Sequence, residues 1–558
     1  MGFNLPVLNR RRRPGGFSPV FLFSSGSQGV WYEPSDLTTM FTDRSGTIPI
    51  TAPGQTVSLR LDKSKGLTLG SELVVNGDFA AGATGWTAQA GWTISSGAAS
   101  VNSSVAGSTY LRTSGYTAVA GTYYRVTFTI TSYTSGSIFG VAGTATSATG
   151  ATALGTYSYL ILSNGANGVG VYGSGTNTIA TIDNISVKEL PGNHAVAPTD
   201  AARPTYGIEP WSGRRNLLTR TEEFGDAVWQ KITSGVGVAP VLTYGFADPD
   251  GTSTAWRLQL NAGANGASDY SLIRQSSSSW PDIGTRSIWL RSNTGSNQTV
   301  TLVATNVNFR VTVTPTWQRF ESASSAGAKQ LDVSVGGAGS TGATADILIW
   351  HPQFEAAATA TAYQRVGTAF DVTEAGVPTV HYVQDAGTDD SFSTSSIDFS
   401  TTDKMSVFAG VRKLSDALQG IFCEFSASTS LNNGSFRMTF PGGSGVDSYG
   451  WLSKGTLIAS SSVGGFAAPI ANIVTGLGDI SGDLAILRVN GAQVSQSTND
   501  QGTGNYGNYP LFIGRRNNTS LPFNGRDYGI LVVGKAVTPT EIAATESYLA
   551  SRTSGVTL

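Results

Sequence analysis

One module opening is written twice in this chain, 144 residues apart when the offset is taken from Leu73 to Leu217. The first copy reads Glu72-Leu73-Val74-Val75-Asn76-Gly77-Asp78-Phe79 and closes on Trp86. The second reads Asn216-Leu217-Leu218-Thr219-Arg220-Thr221-Glu222-Glu223-Phe224 and closes on Trp229. Each has a counterpart ending, residues 180 to 190 and 345 to 355, in which an Asp precedes an alternating stretch. A paired opening and a paired ending are the signature of tandem modules, and the alternation makes them β-modules.

The 558 residues exceed what one hydrophobic core serves, so roughly three or four domains are expected. Charged residues make up only 13% and Gly numbers 69, with Ser, Thr and Ala filling much of the rest, a profile of sheets joined by small-residue turns. Hydrophobic residues at 40% and aromatics at 10% are enough for folded cores, which argues against disorder.

The formal charge of −2 provides no global field for a polyanion, and nucleic acid is not an expected partner. The only basic run, Arg10 to Arg13, reads as a solvated N-terminal arm or a docking peptide. A lone cysteine, Cys423, excludes an internal disulfide, and its neighbours Ile421, Phe422 and Phe425 place it in a buried strand. Phe17 to Phe23 is apolar but too short to span a bilayer, so no membrane insertion is expected.

Five segments follow from the pattern. Residues 1–68 form an extended N-terminal segment with a short helical turn after Ser35-Asp36. Residues 71–190 form the first module, in which Tyr124, Val126, Phe128 and Ile130 share one strand face while Arg125, Thr127 and Thr129 share the other. Residues 191–204 contain Pro191, Pro198 and Pro204 and read as a linker. The second module spans 205–366, with strands at Arg286 to Leu290, Thr299 to Ala304, Phe309 to Val313 and Asp346 to Trp350. Residues 367–558 form a third sandwich, with strands at Met405 to Val411 and Leu484 to Val489 and an Asn490-Gly491 hairpin turn. One longer helix is predicted near its end, where Thr538 caps, Pro539 takes the first position and Glu541 completes a capping box. The fold class is all-β: tandem antiparallel β-sandwich (jelly-roll) domains after an extended N-terminal segment, with one C-terminal helix.

The first module's Leu73 to Phe79, Gly85-Trp86 and closing Ile182-Asp183-Asn184-Ile185-Ser186-Val187 resemble the jelly-roll carbohydrate-binding modules attached to glycoside hydrolases. The resemblance implies that opening and closing segments lie together. It also implies that Asp78 and Asp183 hold a structural calcium, the alternative being that both are turn residues satisfying backbone amides. The second module's opening, with Phe354-Glu355 and Thr361-Ala362-Tyr363-Gln364-Arg365 at its end, resembles modules of bacteriophage structural proteins. Residues from His381-Tyr382 through Gly525-Arg526-Asp527-Tyr528-Gly529 to the capped helix are similar to concanavalin-like or laminin-G-like domains. Gly29-Val30-Trp31-Tyr32-Glu33-Pro34-Ser35-Asp36-Leu37 resembles the start of phage virion proteins. The acidic turn at Asp385, Asp389 and Asp390 departs from the segment that opens related phage domains and leaves an oxygen-lined cation site as one reading of it.

Catalytic chemistry is sparsely represented. Glycan hydrolysis needs two carboxylates opposed across a cleft, and neighbours in a turn, such as Glu222-Glu223, do not establish opposed faces. His194, His351 and His381 stand isolated in sequence, which leaves little material for a nucleophile relay or a histidine metal site. Sugar binding asks less: an aromatic face against a pyranose ring, with amide, carboxylate or guanidinium groups reaching hydroxyls. The residues offered for it are Trp92, Tyr110, Tyr116 and Tyr133 in the first module, and Tyr449, Trp451, Tyr506, Tyr509, Arg515, Arg516, Asn517 and Asn518 in the third.

The sequence thus reads as a virion fibre or spike of phage type, exposed on the particle exterior and not an enzyme. Its N-terminal segment contacts other virion proteins, and its sandwiches bind bacterial capsule or lipopolysaccharide glycans as a homo-oligomer. The competing readings are a depolymerase that cuts the same glycan and a purely structural decoration protein.

Overall fold

The structure, a computed structural model, describes residues 17–104, 107–264, 266–302, 309–323, 329–337 and 342–558. Arg10 to Arg13, and Val303 and Ala304 at the end of one expected strand, lie outside the described residues. The fold is all-β, built from sheets that are almost wholly antiparallel, with a single α-helix among the described residues. The chain divides into two units, one made of the residues up to Tyr206 with His381–Leu558, the other of Gly207–Val380. The second module is therefore an insertion within the first unit's chain.

In the module at 71–190, strand Tyr123–Ala142 lies between Gly155–Leu162 and Val169–Leu190. The alternation read from sequence holds: Tyr124, Val126, Phe128 and Ile130 are at most 2% exposed, while Arg125, Thr127 and Thr129 reach the other face. Opening and closing segments lie together, with Leu73 N–H donating to Val187 O at 2.9 Å and Ile185 N–H to Gly77 O at 2.9 Å. A Cβ at position 77 would overlap the carbonyl oxygen of Ile185, so only glycine permits this approach. Gly77→Ala is expected to destabilise the protein by ~1–3 kcal/mol through this overlap, read as a lowered urea midpoint. An unchanged midpoint would show that the two segments do not meet at this distance.

The repeated opening has the same internal geometry in both copies. In the first, Phe79 and Trp86 rings sit 5.4 Å apart at 38° and the indole N–H donates to Asn76 O at 2.9 Å. In the second, Phe224 and Trp229 sit 4.7 Å apart at 38° and the indole N–H donates to Arg220 O at 2.9 Å. Asn76 and Arg220 both adopt positive φ, 63° and 51°. In each copy the tryptophan fills the core while its one polar atom closes the turn that leads into the module.

The C-terminal sandwich recruits much of the chain's N-terminal part. Strand Gly29–Tyr32 pairs with Asn524–Val533, which also pairs with Lys404–Lys413. Met40–Phe41, Leu59–Arg60 and Ala195–Val196 extend the opposite sheet beside Phe392–Asp398. Leu22, Phe23 and Trp31 share a core with Phe408, Leu531 and Leu549. Residues 17–68, which the sequence sets apart, are thus woven into the last sandwich through their strands and through Leu22, Phe23 and Trp31, while Phe41, Leu59 and Leu61 pack against Tyr123, Leu160 and Leu190 of the first module. The expected linker likewise holds a short strand, and His194 within it is buried at 2% exposure.

The local signals near the C-terminus match the structure. The helix spans Pro539–Ala550 with the capping box of Thr538 and Glu541 formed, Asn490-Gly491 turns the hairpin with φ of 47° and 82°, and Cys423 is fully buried in strand Ile421–Phe425.

The acidic turn at 385–390 is closed from within. Asp390 accepts from Ala386 N–H at 2.7 Å, and Asp385 is 3% exposed. Burial, then the neighbouring Asp390 and Asp527, push the Asp385 carboxyl well above its ordinary value. Because that folded value exceeds the unfolded one of about 3.9, the stability this group contributes is complete below the unfolded value and is lost as pH rises through the folded one. Asp385→Asn should therefore raise Tm relative to the parent more at pH 8 than at pH 5. Equal differences at the two pH values would contradict a buried, protonation-favouring carboxyl.

Candidate functional site

Within residues 207–380, strand Thr344–Glu355 carries an irregularity that builds a cleft. Its register with Thr285–Ser292 pairs Trp350 with Trp289 and Gln353 with Ser287, so His351 and Pro352 oppose Ile288 alone. This is a β-bulge, and His351 takes the left-handed φ of 47° that a side chain seldom adopts. The bulge swings the imidazole into a stack: ring centroids lie 3.2 Å from Trp350 and 3.6 Å from Tyr363, with planes within 16° and 14°. Trp289 meets Trp350 edge-on at 6.2 Å and is partly exposed.

These rings wall a cleft of about 680 Å³ whose lining also includes Glu222, Asp250, Thr252, Thr254, Arg319 and Arg365. That volume lies in the ordinary range for small-molecule sites. The polar lining is held in place. The Trp350 indole N–H donates to Thr254 Oγ1 at 2.9 Å, and the buried Asp248 carboxylate accepts from the backbone amides of Thr252 and Thr254 at 3.0 and 2.9 Å. Asp250 stands exposed on the same loop.

Glu222 organises the floor. It lies 3.5 Å from His351 Nε2 and 3.4 Å from Arg365 Nε, and Tyr363 Oη donates to it at 3.5 Å. Burial raises the Glu222 carboxyl, but the His351 contact and Arg365 outweigh it and leave the group below its ordinary value. At His351 burial prevails over the Glu222 attraction, so the imidazole titrates below its ordinary value and is neutral at pH 7. Glu374 is likewise held low: burial raises it, and the hydrogen bonds from Arg215, Gln364 and Ser212 win.

The residues offered from sequence lie elsewhere, and several are corrected by their burial. Trp92, Tyr449, Trp451 and Tyr506 are at most 7% exposed and serve as core. Trp451 donates to Leu477 O at 3.1 Å and Tyr506 bonds Ser453 Oγ at 2.6 Å, which satisfies their polar atoms inside the sandwich. Tyr116 and Tyr133 are half-buried against the first module's core, tied to Tyr124 Oη at 3.0 Å and Gly136 O at 2.8 Å. Tyr509 donates to Asn433 O at 3.1 Å, Arg516 pairs with the buried Glu424 at 2.8 Å, and Arg515 donates to Thr519 O at 2.8 Å. Asn517 and Asn518 occupy a turn at φ of 47° and 55°, and Asn518 reaches Ser393 Oγ at 3.1 Å. These groups tie the loop to neighbouring segments of the same sandwich.

Asp78 and Asp183 accept from backbone amides of their own turns, those of Ala80 at 3.3 Å and Asn184 at 2.6 Å. Among the described residues no group of three or more His, Cys, Asp and Glu is placed to hold a metal ion.

Tyr110 alone among the offered aromatics joins a surface row. It pairs in register with Tyr172, which pairs with Phe139 on the next strand, at ring distances of 4.6 and 6.0 Å, and Arg112 lies 3.7 Å over Tyr110. Tyr172 and Phe139 were not singled out from sequence. Nor were Trp289, Trp350, His351 and Tyr363 as a set, although Tyr363 and Arg365 stood in the motif that closes the second module. The one local cue was an aromatic, a histidine and a proline in succession at 350–352, inside an otherwise alternating strand.

No family model matches the chain, and no curated protein matches it. Among solved structures it is similar to the CBM40 of the Ruminococcus gnavus IT-sialidase bound to alpha2,6 sialyllactose, at 14% identity over 29% of this chain and 96% of that one, TM-score 0.23. It is also similar to the botulinum neurotoxin type G receptor binding domain, at 10% identity over 30% and 43%, TM-score 0.24. A third is the NanB sialidase of Streptococcus pneumoniae, at 14% identity over 28% and 26%, TM-score 0.23.

Proposed function

We propose that the protein binds a saccharide in the cleft walled by Trp289, Trp350 and Tyr363, without cleaving it. The observation that carries this reading is the combination in one open cleft of a partly exposed indole with hydroxyl, carboxylate and guanidinium groups held by second partners. An aromatic face packs on the C–H surface of a sugar ring while fixed polar groups read its hydroxyls. Non-cleavage is supported by the carboxyls: a glycosidic general acid needs a raised value, whereas Glu222 and Glu374 are both held low.

The biological setting rests on the sequence resemblances. The chain acts as a fibre or spike on the exterior of a phage-type virion, joined to other virion proteins through its N-terminal segment, and adsorbs the particle to capsule or lipopolysaccharide glycans. Several copies per particle multiply a weak single-site affinity. The test is to incubate the purified full chain with host polysaccharide: retention on the polymer with no new reducing ends supports the reading, new reducing ends make it a depolymerase, and no retention removes it. Labelling this chain on intact particles for electron microscopy decides whether it lies on the virion exterior.

A further inference from the structure

We infer that the cleft selects an uncharged saccharide over one carrying a carboxylate; the inference rests on the saccharide reading above. It comes from the charges the cleft leaves unspent. Both guanidiniums in its lining already face protein carboxylates. Arg365 lies 3.4 Å from Glu222 and 3.0 Å from Asp371, and Arg319 lies 3.7 Å from Glu321 while donating to Ser287 Oγ and Thr361 O at 2.8 Å each. Glu374 is paired with Arg215 at 2.7 Å. His351 supplies no charge at neutral pH, because burial keeps it unprotonated.

Asp250 is the exception. Its backbone amide is tied to Asp248 at 3.0 Å, yet its exposed carboxylate has no ion-pair partner among the described residues. A uronate or sialate entering this cleft meets that carboxylate and finds no guanidinium without an anion beside it. Like charges a few ångströms apart in a partly desolvated cleft repel strongly. A neutral sugar meets no such penalty: two adjacent hydroxyls can donate to the two Asp250 oxygens while the ring's C–H face lies on the Trp289 indole.

The experiment is a glycan array carrying neutral oligosaccharides beside sialylated and uronate-containing ones, probed with the full-length protein and with Trp289→Ala and Asp250→Asn. The expected result is a neutral bound set lost in Trp289→Ala, with carboxylated derivatives of any bound glycan about tenfold weaker or worse. Asp250→Asn should raise the acidic-to-neutral ratio by about threefold or more, since the amide keeps an acceptor and removes the charge. Trp289-dependent preference for sialylated or uronate glycans would overturn this inference and leave the saccharide reading standing. No glycan bound would remove the saccharide reading and this inference with it, and binding indifferent to Trp289→Ala would remove this cleft as the site and overturn the inference.

Discussion

Arg60→Met is expected to lower the unfolding free energy by about 3–5 kcal/mol, the cost of stranding one member of a buried ion pair. Arg60 and Asp527 are 2% and 1% exposed, and Nη1 stands 2.6 Å from Oδ2. The guanidinium also lies over the rings of Tyr32 and Phe392, at 5.2 and 5.5 Å to their centroids. Without it, Asp527 remains buried near Asp385, whose own carboxyl is already raised partly by that neighbour. The loss should therefore deepen as pH rises. Removing both charges in Arg60→Met with Asp527→Leu should recover much of the stability, because well-packed apolar substitutes for a buried pair are often neutral. Urea unfolding of the two variants at pH 6 and pH 8 checks this, and a loss below about 1 kcal/mol for the single variant would show that the pair is solvated.

Trp289→Ala is expected to weaken saccharide binding by about tenfold or more, corresponding to the ~1.5–3 kcal/mol that a large apolar side chain gains on burial under a ligand. The indole is mostly buried, edge-on to Trp350 at 6.2 Å, so its removal should also lower Tm, though by less than the loss of the more deeply buried Trp350. Trp350 gives the contrast. It is 5% exposed and anchors Thr254, so Trp350→Ala should cost ~3–5 kcal/mol of stability as well as binding. Calorimetric titration with the strongest array ligand, together with thermal melts, separates the two. Undiminished affinity in a folded Trp289→Ala protein would place the sugar elsewhere, with the Tyr110–Tyr172–Phe139 row as the next surface to test.

Much of the fold was legible because its signals are local. Strand alternation at Tyr124–Ile130, the Asn490-Gly491 turn and the Thr538 capping box each depend on a few neighbouring residues, and each stands where the sequence put it. The site was not legible for a physical reason visible at Trp451 and Trp289. Both sit in strands without a clean inside–outside alternation, and nothing within a few residues says which face of the strand will meet a second sheet. Trp451 turns inward beside Phe436 and seals its indole N–H on Leu477 O, whereas Trp289 reaches the cleft.

The sequence by itself determined the two matched openings, the all-β class and the helix near the C-terminus, since period, turn chemistry and capping act over one or two turns of chain. Only the tertiary structure decided that residues 17–68 complete the last sandwich, that the second module interrupts the first unit's chain, and that a bulge at His351 gathers Trp350, Tyr363 and Glu222. Those outcomes depend on pairings between strands hundreds of residues apart in some cases, and on one extra residue in a ladder, which no local pattern encodes.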